Sequence, residues 1–418
     1  MSVCGGKFLS NHVPQENPEM SDNEIHTTIP APTRTAGLTL LSDLAEVVAK
    51  YGASRSYADG YTTSRLSPYI RRRMVIEEEV IEFARSVGKF DAVEKFVQEV
   101  VWRTYWKGWL EARPIVWKTY LRRLQEIDET LLAADSVRVD CATNGKTDFP
   151  YFNAWCEELK TTGYLHNHVR MWFASIWIFT LNLPWELGAR FFLNHLLDGD
   201  PASNTLSWRW VAGLQTPGKH YLARADNIAR FTHGRCVPGP GELNESAQSL
   251  RDDGLSRITA AKPTFEAEAS EVRPQAVLLH DEDCGPLPGD WVAAPALRYV
   301  VTERPQHRLS TLVERWITDS CRDADAPFGR VVHAHSAKEV RDWCRASGVV
   351  EVWAVRPFQG FTEGALAKAA DQLAADGIRL RYADRRHDIN FFPLATRGFF
   401  PFWEAASGTL RRRWGSTP

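Results

Sequence analysis

The hydrophobic period of this chain changes once along its length, and that change limits the fold to two unlike halves. From 38 to 231, apolar residues recur at helical spacing. A polar, irregular stretch follows over 238–262, beginning Pro238-Gly239-Pro240-Gly241-Glu242. Beyond it, short β-branched-rich runs at 276–280, 330–335, 350–354 and 378–383 alternate with helical segments at 310–321, 337–346 and 364–374. Such alternation is the pattern of an open α/β sheet. The expected fold class is α + α/β: an all-helical domain over 32–237, a linker over 238–272, and a smaller open-sheet domain over 273–418. The start, 1–31, is polar, carries Pro14, Pro18 and Pro30, lacks the apolar core of a signal peptide, and is expected to be disordered.

Within the helical half the pattern predicts helices over 38–50, 91–111, 164–180 and 185–197, with Asp91 as an N-cap and Pro184 in a first turn. The longest apolar run, 171–183, is too short to span a bilayer and stops at Pro184, so it reads as a buried helix. The sheet half has no G-x-G-x-x-G and no P-loop, so no nucleotide site follows from motif.

Composition excludes some classes. A net charge of −2 argues against a protein that grips nucleic acid through phosphates alone, so any DNA contact needs a local basic patch. Arginines gather at 71–73, 122–123 and 411–413, where a solvated surface is the ordinary reading. Seven scattered cysteines contain no C-x-x-C, which removes support for a zinc or iron–sulfur site and fits a reducing cytosol. Sixteen tryptophans concentrate in 102–210. By themselves they read as a large aromatic core, with an aromatic ligand site as the sharper alternative.

Four patches can present several groups together. The first is Thr62, Thr63, Ser64, Arg65, Leu66, Ser67, Pro68 and Tyr69, where hydroxyls and a guanidinium crowd a turn before a helix. That suits a phosphate, although alone it reads as a helix cap with a surface arginine. In the second, Phe96, Glu99 and Arg103 fall within about 60° of one another on a helix, with Trp102 beside Glu99. A Glu–Arg pair four apart is ordinarily a surface pair. In so apolar a run it should be buried and need partners. In the third, Asn167, Arg170 and Met171 share a face, while His166 and His168 point to different sides and make no metal site. The fourth runs from Asp198 to Trp210, with Asp200 as N-cap, Pro201 in the first turn, and Asn204 and Trp208 on one face. Its D-x-D start is no calcium loop, because Ser203 replaces the turn glycine and Arg209 the final acid.

Together these patches resemble the FAD-binding domain of the photolyase/cryptochrome family, in the family's order and with closely similar spacing, over about 32–235. The carrying motifs are TSRLSPY, a W-R pair after E-x-x, HNxxRM, and DGDxAxN followed by W-x-W, with Tyr51 and Arg55 leading in. The resemblance implies FAD as cofactor. Tyr51, Thr63, Ser64, Arg65, Leu66 and Ser67 would surround its phosphates and ribityl chain. Arg103, Asn167, Arg170, Asp198, Asp200 and Asn204 would surround the folded cofactor and its ring. An Arg170–Asp198 ion pair is expected beside the ring, and the Asn204 amide can donate or accept at the flavin edge. Glu99, Trp102, Asn167, Met171 and Trp210 match the pocket that takes a base flipped from UV-damaged DNA, with Trp102 and Trp210 stacking on the pyrimidines. Asn167 and Met171 stand where (6-4) photolyases place histidines, which points to the cyclobutane-dimer class. Trp208 and Trp185 match the inner members of the photoreducing tryptophan chain, and Trp117 and Trp172 are candidates for its surface member.

The implied activity is light-driven repair of a cyclobutane pyrimidine dimer, a carbon–carbon lyase reaction, by a cytoplasmic monomer that needs no membrane. The alternatives are a cryptochrome-like blue-light receptor that binds FAD without repair, and a flavin-binding relative with neither role. Three features depart from the family. The domain order is reversed, as in a circular permutation, with FFPLATRGFFPFWEA resembling the segment that closes the family's α/β domain. Phe96 replaces a common tryptophan. The first strand of the sheet half runs into His280-Asp281-Glu282-Asp283 where the family has an arginine-rich turn, so no antenna site carries over and any second chromophore stays unknown.

Overall fold

The computed structural model describes residues 31–58 and 62–415, so all but Ala31 of the expected disordered start lies outside the described residues. Twelve described helices precede the sheet: α1 (Arg34–Ser42), α2 (Ala45–Ser54), α3 (Ser67–Arg71), α4 (Glu77–Val87), α5 (Phe90–Glu111), α6 (Ile115–Thr130), α7 (Ala133–Thr143), α8 (Pro150–Thr162), α9 (Asn167–Ser175), α10 (Trp185–His195), α11 (Pro201–Val211) and α12 (Ala225–Phe231). The α9 helix continues as one π turn, Ile176–Thr180. No helix among the described residues is long and apolar enough to cross a membrane.

Several boundaries differ from the sequence pattern. The expected helix over 38–50 is two helices, because a turn at Asp43 and Leu44 lets Leu41, Leu44 and Val48 all bury. Asp91 is not the cap of α5. Lys89 takes the extended N-cap conformation, and Asp91 lies in the first turn, where the helix dipole favours a carboxylate and Arg411 pairs with it at 2.6 Å. The expected helix over 164–180 starts only at Asn167, behind the left-handed Gly163. Pro184 caps α10 from outside rather than entering its first turn, and α10 ends at His195.

The sheet half holds β1 (Val277–Leu279), α13 (Gly289–Val292), β2 (Ala296–Tyr299), α14 (Thr311–Asp325), β3 (Val331–Ala334), α15 (Ala337–Ala346), β4 (Glu351–Val355), α16 (Phe361–Ala374) and β5 (Arg379–Ala383). The strands pair in the order β3-β2-β1-β4-β5, all parallel. Four of them fall where the β-branched runs predict. The pattern misses β2, because its central residue is a fully buried arginine. Arg298 is held there by the His280 carbonyl at 2.9 Å and by Asp325 at 2.7 Å. After β5 the chain returns to the helical half: α17 (Arg386–Phe391), a 3₁₀ turn (Phe392–Leu394) and α18 (Phe399–Gly415) pack on α5. Gly108 of α5 makes that contact possible, since a Cβ there would meet Phe392 Cα at 3.0 Å.

The halves are joined by an ion cluster. Arg71, Arg72 and Arg73, expected at the surface, are buried to 2–3% exposure. Arg71 forks onto Glu282 at 2.5 and 2.6 Å. Arg72 holds Asp281 at 2.5 Å, and Arg73 holds Asp388 at 2.7 Å and Asp283 at 3.4 Å. Asp281 also receives Arg304 at 3.1 Å and the Thr362 hydroxyl at 2.8 Å, and Asp283 receives Arg385 at 2.5 Å. Burial pushes these carboxyls up, yet the surrounding guanidiniums win and hold Asp281 and Asp283 well below the usual aspartate range. The acidic turn follows β1 directly, at the carboxyl ends of the strands between β1 and β4, where open α/β sheets commonly bind ligands. Here the protein's own charges occupy that crevice.

Removing one member of a buried pair strands the other, so Arg71→Met should cost about 3–5 kcal/mol. Arg71→Met with Glu282→Leu should recover most of it, as read from urea unfolding midpoints. Because the folded carboxyl of Asp281 is depressed, its contribution is complete above its unfolded value of about 4 and fades as pH falls below it. The stability gap between wild type and Asp281→Asn should therefore narrow when unfolding is followed from pH 7 into acid.

Candidate functional site

The fourth patch folds as its local chemistry requires. Asp200 has extended backbone, and its Oδ1 accepts the Ser203 N–H at 2.8 Å, with Pro201 opening α11. Its other oxygen is held by Lys107 at 2.9 Å and Arg103 at 3.1 Å, with Arg71 at 3.8 Å. Burial raises the Asp200 carboxyl, but these three cations outweigh burial and drive it far below the usual range. Burial likewise lowers Lys107 to about 8, with its ammonium 3.6 Å from the Phe358 ring centroid. Lys107 is a residue that motif reasoning missed, although it lies one turn after Arg103 on the same face of α5.

Around this hub, α5, α9, α10 and α11 enclose a cavity of about 370 Å³, within the range of ligand pockets. Glu99, Trp102, Arg103, Asn167, Arg170, Met171, Asp198, Asp200, Asn204, Trp208 and Trp210 all line it. Trp106, Phe192, Leu196, Ser203 and Ser207 also line it and carried no motif signal. The expected Arg170–Asp198 pair forms at 3.0 Å, with the Arg170 Nε–H donated to the Leu165 carbonyl. The expected Glu99–Arg103 pair does not form. Glu99 faces Arg55 at 3.5 Å, while Arg103 turns to Asp200. Burial outweighs Arg55 and raises the Glu99 carboxyl above its usual value.

The first patch lies beside the cavity rather than in its wall. The Thr63 hydroxyl meets the Tyr164 hydroxyl at 3.1 Å, and the Tyr164 ring lies beneath both Arg65 and the cavity-lining Arg170, at 5.1 and 5.5 Å. Ser64 caps the Leu66 N–H, Arg65 sits at φ +52°, and Leu66 is fully buried in the core. Ser67 opens α3, and Tyr51 packs edge-on against Phe96 at 5.2 Å.

The aromatic residues divide into sets. Phe399 stacks on Trp102 at 3.4 Å and 5°, and Tyr221 stacks on Trp210 at 5.8 Å and 24°. The Trp208 ring lies on the backbone of α10, where a Cβ on Gly188 would come within 2.3 Å of it. Its ring neighbours among the described residues are Phe192 and Trp177. Trp185, one turn before Gly188 on the same helix, meets Tyr120 at 5.7 Å, and Tyr120 stacks on Trp117 at 5.2 Å. Trp172 stacks instead on His168 and Trp155. Neither candidate for a surface tryptophan reaches the surface, since Trp117 and Trp172 are both buried.

The cavity offers an aromatic wall and unpartnered polar atoms to a ligand. Asp198 Oδ1, Ser203 Oγ and Arg103 Nε are buried in its wall without a protein partner, and such atoms call for a ligand. The Asn204 amide is anchored by one N–H to the Ala189 carbonyl at 2.8 Å, which leaves its oxygen and second N–H for the cavity.

Residues 96–233 match the family described as the FAD binding domain of DNA photolyase. The chain is 31% identical over 243 residues to a deoxyribodipyrimidine photo-lyase of Streptomyces griseus, covering 53% of this chain and 51% of that protein. It is 31% identical over 217 residues to a protein of that name from Thermus thermophilus, covering 50% and 48%. Among solved structures, a class III photolyase from Agrobacterium tumefaciens matches with 24% identity and TM-score 0.41, covering 51% of this chain and 46% of that one. A Synechocystis cryptochrome matches with 21% identity and TM-score 0.42, covering 48% and 43%. The chain spans about half the length of the curated relatives it matches.

Gly188→Ala tests the wall behind Trp208. Overpacking of this kind costs about 1–3 kcal/mol, so the variant should unfold at a lower temperature and show altered tryptophan emission.

Proposed function

We propose that this chain, whose helical half is an FAD-binding domain of the photolyase/cryptochrome family, repairs DNA in the light by splitting cyclobutane pyrimidine dimers. The observation that carries the proposal is that Glu99, Trp102, Asn167, Met171 and Trp210, from three separate helices, line one cavity together with the cofactor-facing residues. When bound, reduced FAD supplies the electron that light drives into the dimer.

Arg170, Asp198, Asn204 and Arg103 hold the cofactor, and the unpartnered Asp198 Oδ1 and Arg103 Nε take its polar groups. Tyr51, Thr63, Ser64, Arg65 and Ser67 lie toward its phosphates, while Leu66 supports that turn from the core. Asp200 acts through Arg103 and Lys107 and is a positioning residue. Phe399 and Tyr221 each cover one face of Trp102 and Trp210. Each indole thus keeps a fixed orientation and a second face for a flipped pyrimidine. Glu99 lies between burial, which favours its proton, and Arg55, which favours its charge. A carboxyl in that balance can hydrogen-bond a base carbonyl and stabilise charge that develops on it. Asn167 adds an amide to the base edge and Met171 an apolar wall. The partner is UV-damaged DNA. Its phosphates must be met by surface cations other than Arg71, Arg72 and Arg73, which are buried in the ion cluster.

The test is repair of a thymine-dimer oligonucleotide by chemically reduced, FAD-loaded protein under blue light. Restored thymines in the light and none in the dark are expected. Trp102→Ala should weaken dimer binding by about 1–3 kcal/mol while keeping FAD. No repair by wild-type protein with reduced FAD bound would reject the enzyme and leave a blue-light receptor. Undiminished repair by Trp102→Ala would reject the pocket assignment.

A further inference from the structure

The Trp208 ring packs on α10 at Gly188, one turn from Trp185 on the same helix, and Trp185 in turn meets the buried Tyr120. A tryptophan oxidised at the end of such a route ordinarily loses its proton to water, and that exit is closed here because Trp185, Tyr120 and Trp117 are all buried. The ring that touches Trp185 is a tyrosine, at 5.7 Å. Its hydroxyl lies 3.2 Å from His307 Nε2, within reach for proton transfer, which is about 2.6–3.2 Å.

The hydrogen-bond network fixes the direction of that bond. His307 Nδ1 lies 2.8 Å from the Pro305 carbonyl, which can only accept. Nδ1 therefore carries the proton, and Nε2 of the neutral ring is a bare acceptor for the Tyr120 O–H. Burial lowers His307 to about 4, so the ring is neutral at physiological pH. Arg190 and Arg304 oppose its protonation and Asp128 favours it. Phe361 packs against both His307 and Trp117 and helps keep water away.

We infer that Tyr120 is a redox-active tyrosine and His307 its proton acceptor, forming an internal end to the electron path that leads from the cavity through Trp208 and Trp185. With oxidised FAD bound and excited by light, the oxidant would be the Trp185 radical cation, Trp185 having given one electron through Trp208 to the flavin. Tyr120 returns one electron to Trp185, which becomes neutral closed-shell indole again. At the same time the Tyr120 O–H bond breaks and its proton forms a new N–H bond at His307 Nε2. The products are a neutral tyrosyl radical and an imidazolium whose Nδ1–H stays bonded to Pro305. Once the proton has moved, the electron cannot return until the proton does, so charge separation is prolonged. The pair joins the halves chemically, because Tyr120 belongs to α6 and His307 to the loop before α14. The inference rests on the proposed FAD site.

The test uses the full chain with oxidised FAD bound, confirmed by its absorbance before illumination. Wild type under blue light should give a tyrosyl signal by electron paramagnetic resonance, and that signal should form more slowly in deuterium oxide. Tyr120→Phe should lose the signal. His307→Gln, which keeps the tyrosine but removes its base, should lose it too and show a tryptophan radical instead. A tyrosyl signal that survives Tyr120→Phe, or a wild type that gives only tryptophan radicals, would overturn the inference. Repair by chemically reduced protein from the same preparation reports on the cavity alone. A failure there with the tyrosyl signal intact rejects the repair reading and not this one. A chain that takes up no FAD rejects both.

Discussion

Arg71 is the joint on which the structure depends. It is almost fully buried, and one guanidinium serves three partners: Glu282 after β1, the Gly199 carbonyl at 2.7 Å, and Asp200 at 3.8 Å. A charge buried to this degree is tolerable only with nearly complete pairing. The sheet half supplies the Glu282 contact, so the pairing of Arg71 is complete only with the turn after β1 in place. The Gly199 and Asp200 contacts set the turn from which α11 projects Asn204, Trp208 and Trp210 into the cavity. The geometry of the cavity wall is thus tied to the sheet half through Arg71, alongside the contacts of Lys107 with Phe358 and of Pro201 with Gly360.

The same cluster explains why the sheet half lacks the feature its topology suggests. A parallel sheet in the order 3-2-1-4-5 has a crevice at the carboxyl ends of β1 and β4. In this chain His280 bridges those two strands. Its Nε2–H donates to the Val355 carbonyl at 2.7 Å, and its Nδ1 accepts the Glu282 N–H at 3.2 Å. Arginines from the helical half fill the remaining space. The turn after β1 is acidic, and the arginines that pair with it stand on the facing segment of the helical half. The sheet serves the site as a buttress, and it also delivers Phe361 and His307 against the outer aromatic rings.

Much of this was legible in the sequence because the informative residues are close in sequence and their spacing is rigid. The E-x-x-W-R, HNxxRM and D-x-D-x-x-x-N patterns each lie on one helix or its cap, where a fixed pitch decides which side chains share a face. That is why the cavity-lining residues of these three patches converge as expected. What the sequence concealed depends on contacts between distant segments. The run Arg71-Arg72-Arg73 looks like solvated surface until Asp281, Glu282 and Asp283 are brought to it from more than two hundred positions away. The strand β2 was hidden because Arg298, buried by partners far along the chain, breaks the apolar run. Glu99 and Arg103 are spaced as a pair, yet each has a better partner in Arg55 and Asp200, which no local rule could rank.

The cavity walled by α5, α9, α10 and α11 is where FAD is expected to bind. Protein stripped of flavin and titrated with FAD tests it most directly, with flavin emission as the readout. Saturation at a single FAD per chain is expected, with emission quenched by electron transfer from Trp208 in the cavity wall. Arg170→Leu, which loses the Asp198 pair, should take up FAD much more weakly. No saturable uptake by wild type, or uptake by Arg170→Leu and Asn204→Leu indistinguishable from wild type, would contradict it.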